Sequence, residues 1–119
     1  MKKTLVLGAS PNTSRYSNIV VKRLHSYGHE AVPVGIRKGE IDGVEIITDL
    51  PQRDDIDTVT LYLNPQRQKE YYDYILGLKP NRIIFNPGTE NPELAKAARE
   101  AGIETEAACT LVKLATGDY

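Results

Sequence analysis

Two kinds of hydrophobic pattern alternate along this chain. Short apolar or β-branched runs occur at residues 4–7, 31–34, 58–63 and 82–85, and a weaker run occurs at 103–107. Such uninterrupted runs are typical of strands that are covered on both faces of a parallel sheet. Between them, apolar residues recur at the 3.6-residue spacing of a helix, within residues 16–27, 71–78 and 94–101. The sequence therefore predicts helices that each turn one face toward a sheet.

The predicted helices are bounded by residues that favour helix ends. Ser14 is placed to cap the first helix, and Gly28 is placed to end it. Asn64 and Asn91 each precede a proline, which suits the first position of a helix. Gly102 is expected to close the helix that begins after Asn91.

The alternation of strands and helices predicts an α/β fold. We expect a single Rossmann-like domain over residues 1–119, with a doubly wound, mostly parallel sheet of about five strands and helices on both faces. The first strand is expected at the centre of the sheet. Residues 36–56 interrupt the alternation and predict turns around a short edge strand at 44–47.

The net charge and the composition limit the classes of partner that the chain is expected to bind. With a formal net charge of −1, the chain has no overall attraction to nucleic acid or to an anionic membrane, so any anion site must be local. The apolar run near the amino terminus is too short for a signal peptide, and no segment has the length of a membrane span. One cysteine cannot form an internal disulfide, which is consistent with a reducing compartment. We therefore expect a cytoplasmic protein.

The loop after the first predicted strand is the first candidate binding site. In an open parallel sheet, ligands bind beyond the carboxyl ends of the strands. Gly8 permits close backbone approach, and the start of the following helix together with Arg15 provides positive charge for a phosphate. An alternative is a well-capped helix whose polar residues only stabilise the turn. The candidate residues are Gly8, Ala9, Ser10, Pro11, Asn12, Ser14, Arg15, Tyr16 and Ser17.

The end of the second predicted strand is the second candidate. An NAD site usually has an acidic residue here to bind the ribose hydroxyls, whereas this chain has Gly35, Arg37 and Lys38. Two cations favour a phosphorylated ribose, which both NADP and coenzyme A contain. The alternative is that these are solvated loop charges, which Glu40 and Asp42 would neutralise.

Two further loops follow strands and are expected at the same edge of the sheet. One contributes Tyr62, Asn64 and Pro65, and the other contributes Asn86, Pro87 and Gly88. Their amide and backbone groups are candidate contacts for an elongated ligand. The alternative is that Asn-Pro serves only as turn and cap chemistry.

The order and spacing of these segments resemble those of the small CoA-binding domain proteins. Their Rossmann-like domain is similar to the amino-terminal domain of the succinyl-CoA synthetase alpha chain. The residues that carry the resemblance are 8–11, 15–17, 32–34, 86–91, 98–103 and 109–111. The resemblance implies coenzyme A, with its pyrophosphate near residues 8–17 and its 3′-phosphoadenosine near 35–38. Family members often have Asn-Pro where this chain has Gly35-Ile36, so adenosine contacts there are expected to differ.

No catalytic or metal-binding residue is predicted. Cys109 precedes a predicted helix, where a thiolate is stabilised, but His25 and His29 are expected at the opposite edge of the sheet. A small buried cysteine and two solvated histidines are therefore the favoured interpretation. The phosphorylated histidine of the synthetase comes from a further domain, so its catalysis is not implied here.

Three functional hypotheses remain open. The favoured one is non-covalent binding of coenzyme A or an acyl-CoA, as a sensor, a carrier or a detached enzyme subunit. The second is an NADP-dependent enzyme, and the third is a protein-interaction module that binds no nucleotide. A homo-oligomer or a partner enzyme subunit is compatible with the first hypothesis.

Overall fold

A computed structural model describes residues 2–119 and contains a five-stranded parallel sheet with a separate hairpin. In chain order the strands are β1 (Lys3–Leu7), β2 (Glu30–Val34), β3 (Glu40–Ile41), β4 (Val44–Glu45), β5 (Thr58–Leu61), β6 (Arg82–Phe85) and β7 (Glu104–Ala107). The sheet has the order β2-β1-β5-β6-β7, and all of its neighbours are parallel. Strands β3 and β4 form the antiparallel hairpin. The predicted α/β fold class is confirmed.

Helices cover both faces of the sheet. They are α1 (Tyr16–Ser26), α2 (Pro65–Gln68), α3 (Tyr72–Gly77), α4 (Pro92–Glu100) and α5 (Thr110–Thr116), with a 3-10 turn at Lys69–Tyr71 between α2 and α3. Helices α1 and α5 contribute to one hydrophobic cluster, whereas α3 and α4 contribute to the other. Across residues 2–119, no helix combines the length and apolarity needed to cross a bilayer.

Strand β1 shows why both faces are covered. Its side chains alternate, so that Leu5 and Leu7 join the cluster containing Ile75, while Val6 joins the cluster containing Val20. The side chains of these five residues, three from β1 and two from the helices, are almost completely buried. The uninterrupted apolar run in the sequence thus has a direct structural cause, because each successive residue meets a different helical layer.

The order of the strands departs from the prediction. Strand β5 lies at the centre of the sheet, and β1 lies between β2 and β5, so the expected central position of the first strand is wrong. From β1 the chain crosses to β2 on one side, and it then returns to the other side to form β5. The reversal leaves a crevice between the loops that follow β1 and β5, at the carboxyl edge of the sheet.

Most predicted helix ends are confirmed. The Asn64 side chain accepts a hydrogen bond from the Arg67 N–H at 2.9 Å, and the Asn91 side chain accepts one from the Leu94 N–H at 3.1 Å. Gly102 follows α4 with a φ of 81°, in the left-handed region that glycine adopts without strain.

The predicted cap at Ser14 is wrong. Helix α1 begins at Tyr16, so Arg15 occupies the capping position and makes no side-chain cap. The Ser14 hydroxyl instead donates a hydrogen bond to Asn12 Oδ1 at 2.7 Å. The first turn of α1 therefore retains unpaired N–H groups.

Candidate functional site

A cleft of about 550 Å³ opens where the strand order reverses, at the carboxyl edge of the sheet. Loops that follow β1, β2, β5 and β6 line it, as expected for an open α/β sheet. Most of the predicted binding residues are brought together here: Gly8, Ala9, Ser10, Asn12, Arg15, Tyr16, Ser17, Gly35, Arg37, Tyr62, Asn64, Pro87 and Gly88. Five others do not line the cleft, namely Pro11, Ser14, Lys38, Pro65 and Asn86.

The turn at Gly8 brings the first loop close to its neighbours. Its φ is 99°, and the N–H groups of Gly8 and Ala9 both donate to the carbonyl oxygen of Val34 at 2.9 Å. A Cβ on Gly8 would lie 3.0 Å from the backbone of Tyr62. Glycine is required both by the positive φ and by this approach.

The polar side chains of the first loop mainly stabilise the loop itself. The N–H of Asn12 donates to Ser10 Oγ at 3.1 Å, and the N–H of Ser14 donates to Asn12 Oδ1 at 3.0 Å. Asn18, which the sequence did not indicate, is buried and donates from Nδ2 to the carbonyl oxygen of Ser10 at 2.9 Å. The polar side chains of Ser10, Asn12 and Ser14 therefore stabilise the turn, as the alternative interpretation of this loop expected.

The start of α1 nevertheless leaves donors available. Among the described residues, no acceptor is found for the backbone N–H groups of Tyr16 and Ser17, which form the first turn of this eleven-residue helix. Both residues line the cleft together with the exposed guanidinium of Arg15. Free N–H groups and a helix dipole at one end of a cleft form a site that favours an anion.

The loop that follows β2 packs closely against the loop that follows β1. Gly35 packs so closely on the backbone of Ala9 that a Cβ there would lie 2.2 Å from the Ala9 carbonyl oxygen. Arg37 lines the cleft, whereas Lys38 is exposed outside it. Asp42 contacts His25 instead of neutralising Arg37.

The loops that follow β5 and β6 both contribute residues to the cleft, but not every predicted residue lines it. Asn64 and Gly88 line the cleft, but Asn86 is 3% exposed and its side chain is fully hydrogen-bonded. Its Nδ2 donates to Thr60 Oγ1 and to the Leu61 carbonyl oxygen, at 2.7 and 2.9 Å, and its Oδ1 accepts from the N–H of Thr110 at 2.9 Å. Asn86 therefore connects β5, β6 and the start of α5 beneath the cleft.

Several lining residues were not predicted from the sequence. The most consequential is Arg67, an exposed residue of α2, whose only sequence signal was its position three residues after the cap Asn64. The other unpredicted lining residues are Leu7, Val34, Ile36, Thr48, Leu50, Leu63, Tyr71 and Thr89.

The charged side chains that line the cleft are all positive. Arg15, Arg37 and Arg67 all line it, and no aspartate or glutamate does. None of the ion pairs among residues 2–119 includes any of these three arginines. Three guanidinium groups without counter-charges favour a ligand with several negative charges.

The mouth of the cleft also exposes apolar surface. Tyr16 is 70% exposed, Ile36 is 68% exposed and Leu50 is 39% exposed. All three line the cleft, although large apolar side chains elsewhere in the described chain are mostly buried. A ligand that combines anionic groups with a flat or apolar part would cover both features.

The cysteine and the histidines lie outside the cleft. Cys109 precedes α5 as expected, but it is only half-buried. His25 Nδ1 lies 3.1 Å from Asp42 Oδ2, and His29 Nδ1 accepts a hydrogen bond from the Lys2 N–H at 2.9 Å. Both histidines are half-buried and have protein partners, so the interpretation that they are simply solvated is wrong. Burial lowers the pKa of the His29 imidazole.

The sequence profile of the CoA binding domain matches residues 2–115. The chain belongs to this family. Membership supports coenzyme A binding in general. No curated protein matches the sequence of this CoA-binding domain.

Solved structures share the fold of this chain. An uncharacterized protein is 55% identical, with a TM-score of 0.97, and the match covers 100% of this chain and 98% of that one. A hypothetical protein from Pyrococcus horikoshii OT3 is 30% identical, with a TM-score of 0.86 and coverage of 97% and 82%. The dinucleotide forming acetyl-coenzyme A synthetase 1 of Ca. Korarchaeum cryptofilum is 18% identical, with a TM-score of 0.70 and coverage of 90% and 25%. At that identity the likeness shows the fold alone.

The cleft suits coenzyme A chemically. The free N–H groups of Tyr16 and Ser17 and the guanidinium of Arg15 are suitable donors for a pyrophosphate. Arg37 provides a separate cation on the β2 side, next to the exposed Ile36. The donor set and the absence of lining carboxylates therefore fit a multiply phosphorylated nucleotide.

Proposed function

We propose that this CoA-binding domain binds coenzyme A or an acyl-CoA non-covalently in the cleft. The observation that carries the proposal is the cleft lined by Arg15 and Arg37 without a carboxylate, at the point where the strand order reverses. Charge-assisted hydrogen bonds from guanidinium groups to phosphate are among the stronger polar interactions in proteins.

The proposed orientation follows from the positions of the donors. The pyrophosphate lies at the start of α1, where Tyr16 and Ser17 have free N–H groups. The 3′-phosphate pairs with Arg37, and the adenine covers the exposed side chain of Ile36. The pantetheine arm then runs across β5 toward the loop that contains Gly88.

Binding without chemistry is the proposed role, as a sensor, a carrier or a subunit that delivers the ligand to a partner. The residues that line the cleft include no histidine, cysteine, aspartate or glutamate, so Ser10 and Ser17, which also line it, have no side-chain general base among these residues. This composition supports a ligand-binding role for the cleft. The cytoplasm is the proposed location, since coenzyme A is used there in metabolism.

Isothermal titration with coenzyme A, dephospho-CoA and NADPH tests the proposal. We expect coenzyme A to bind at least about tenfold more tightly than dephospho-CoA, which lacks the 3′-phosphate. NADPH binding that is tighter than CoA binding would instead support an NADP-dependent enzyme. If none of these nucleotides binds or raises the melting temperature, the cleft is not a nucleotide site. Native mass spectrometry of freshly purified protein provides an independent check through the mass of any retained ligand.

A further inference from the structure

The part of the cleft near β5 and β6 contains a cation, Arg67, to which the proposed orientation of coenzyme A assigns no phosphate. Arg67 lines the cleft beside Asn64, Gly88 and Thr89, and it is exposed. Neither Glu70 on the following turn nor Glu90 on the facing loop forms an ion pair with it. Glu90 instead accepts a hydrogen bond from the N–H of Gly88 at 2.8 Å.

The backbone beneath Arg67 is held by a buried polar network. Gln68 is completely buried, and its Nε2 donates to the carbonyl oxygens of Leu63 and Thr89, both at 2.8 Å. Its Oε1 accepts from Asn91 Nδ2 at 2.9 Å. A short helix that buries a glutamine with all of these partners is fixed relative to the β6 loop. The backbone position of Arg67 is therefore well defined, although its guanidinium forms no ion pair within residues 2–119.

The position of Arg67 separates it from Arg37. Arg37 follows β2 and Arg67 follows β5, and these strands lie two places apart in the sheet, which corresponds to about 10 Å. If the phosphates occupy Arg37 and the start of α1, the neutral pantetheine arm offers Arg67 no charge. A remaining anionic group would have to lie at the acyl end of the ligand.

The loops that follow β5 and β6 expose little large apolar surface beside Arg67. Of the lining residues that follow β5 and β6, Asn64, Pro87, Gly88 and Thr89 are polar or small, Leu63 is 6% exposed, and Tyr62 and Tyr71 are half-buried. Large apolar side chains that are exposed at the cleft are Tyr16 and Ile36, after β1 and β2, and Leu50, which lies beside α3 in the connection from β4 to β5.

We propose that Arg67 recognises a carboxylate on the acyl group, so that the preferred ligand is a carboxyacyl-CoA. This inference rests on the proposed function. It names the substrate class by its chemistry, which is a thioester whose acyl group bears a terminal negative charge. A planar guanidinium with five donors is the side chain best suited to hold such a carboxylate.

Two matched ligand pairs test the inference by isothermal titration. Malonyl-CoA is compared with propionyl-CoA, and succinyl-CoA is compared with butyryl-CoA, because in each pair a carboxylate replaces a methyl group. We expect at least one carboxyacyl ligand to bind about tenfold more tightly than its partner. In Arg67→Gln this preference should disappear, while the affinity for coenzyme A stays within about twofold. Arg23→Gln, which removes an exposed arginine of α1 outside the cleft, is the control.

The outcomes separate this inference from the proposed function. Equal affinities within both pairs would overturn the role of Arg67 but not the binding of coenzyme A. An Arg67→Gln variant that weakens coenzyme A as strongly as the carboxyacyl ligands would assign Arg67 to a phosphate, which also overturns the inference. Failure of coenzyme A and all its thioesters to bind the unsubstituted protein would refute the proposed function itself. Melting temperatures of the variants show whether each remains folded.

Discussion

The α-carbon of Gly35 faces the carbonyl oxygen of Ala9 at a distance that leaves no room for a side chain. A Cβ on Gly35 would lie 2.2 Å from that oxygen and 3.1 Å from the carbonyl carbon. The contact joins the loop after β2 to the loop after β1, which are the two loops that line the β2 side of the cleft. It therefore links the stability of the fold to the shape of the site.

Gly35→Ala is expected to destabilise the protein by roughly 1–3 kcal/mol, because backbone must shift to admit the methyl group. Binding of coenzyme A should weaken as well, since the first and second loops move apart. Urea denaturation and isothermal titration measure the two effects. Gly77→Ala is the control, because a Cβ there meets nothing within 4 Å and the residue ends α3. That change should be neutral or stabilising by up to about 1 kcal/mol. Equal stabilities for the two variants would contradict the expectation.

The elements of the main sheet were predictable because burial on both faces leaves an uninterrupted apolar run, as in β1, β5 and β6. Asn64 and Asn91 were predictable as caps, since a cap depends on local sequence alone. The order of the strands was not, because it depends on where each crossover places the next strand. The helical spacing at residues 71–78 also gave no sign of the 3-10 turn between α2 and α3.

The candidate site shows a similar limit. Proximity to a strand end was enough to indicate Gly8, Arg15 and Arg37, which all line the cleft. It did not distinguish Arg37 from Lys38, which are adjacent in sequence but differ in their relation to the cleft. Arg67 was missed because an arginine inside a helix has the same local pattern as a solvated charge. Only the positions of β5 and β6 in the sheet bring it to the cleft.

The difference between Arg37 and Lys38 gives a prediction about ligand discrimination. Arg37→Gln should reduce the affinity for coenzyme A by about tenfold or more and should abolish the preference over dephospho-CoA. Lys38→Gln should leave that preference within about twofold, because Lys38 does not line the cleft. Isothermal titration of both variants with both ligands measures this. A larger effect at Lys38 than at Arg37 would refute the assignment of Arg37 to the 3′-phosphate.

Asn86 is expected to affect stability more than ligand binding. Asn86→Ala removes hydrogen bonds to Thr60, Leu61 and Thr110 and leaves the buried N–H of Thr110 without an acceptor. Leaving such a buried group unpaired costs about 1–3 kcal/mol. We expect a loss of stability of that size in urea denaturation, with coenzyme A affinity of the folded protein changed by less than about threefold. A stable variant that has lost binding would place the Asn86 side chain in direct contact with the ligand.

His29 gives the protein a predictable dependence on pH. Burial, followed by the positive charges of nearby Lys2 and Arg82, lowers the pKa of the His29 imidazole below its ordinary value of 6.5. Between the lowered pKa and 6.5 the unfolded chain binds more protons than the folded one, so stability declines as the pH falls through this window.

His29→Asn should remove this contribution, because asparagine does not titrate and its Oδ1 can still accept the hydrogen bond that the Lys2 N–H donates to Nδ1. The free energy of unfolding, measured by urea denaturation at about pH 7.5 and about pH 5.5, should therefore fall less in the variant than in the unsubstituted protein. Carboxylates that titrate in the same range are common to both proteins, so their contribution cancels in the comparison. If the two proteins lose equal stability, the pKa of His29 does not differ between the folded and unfolded states, and the expected contribution is refuted.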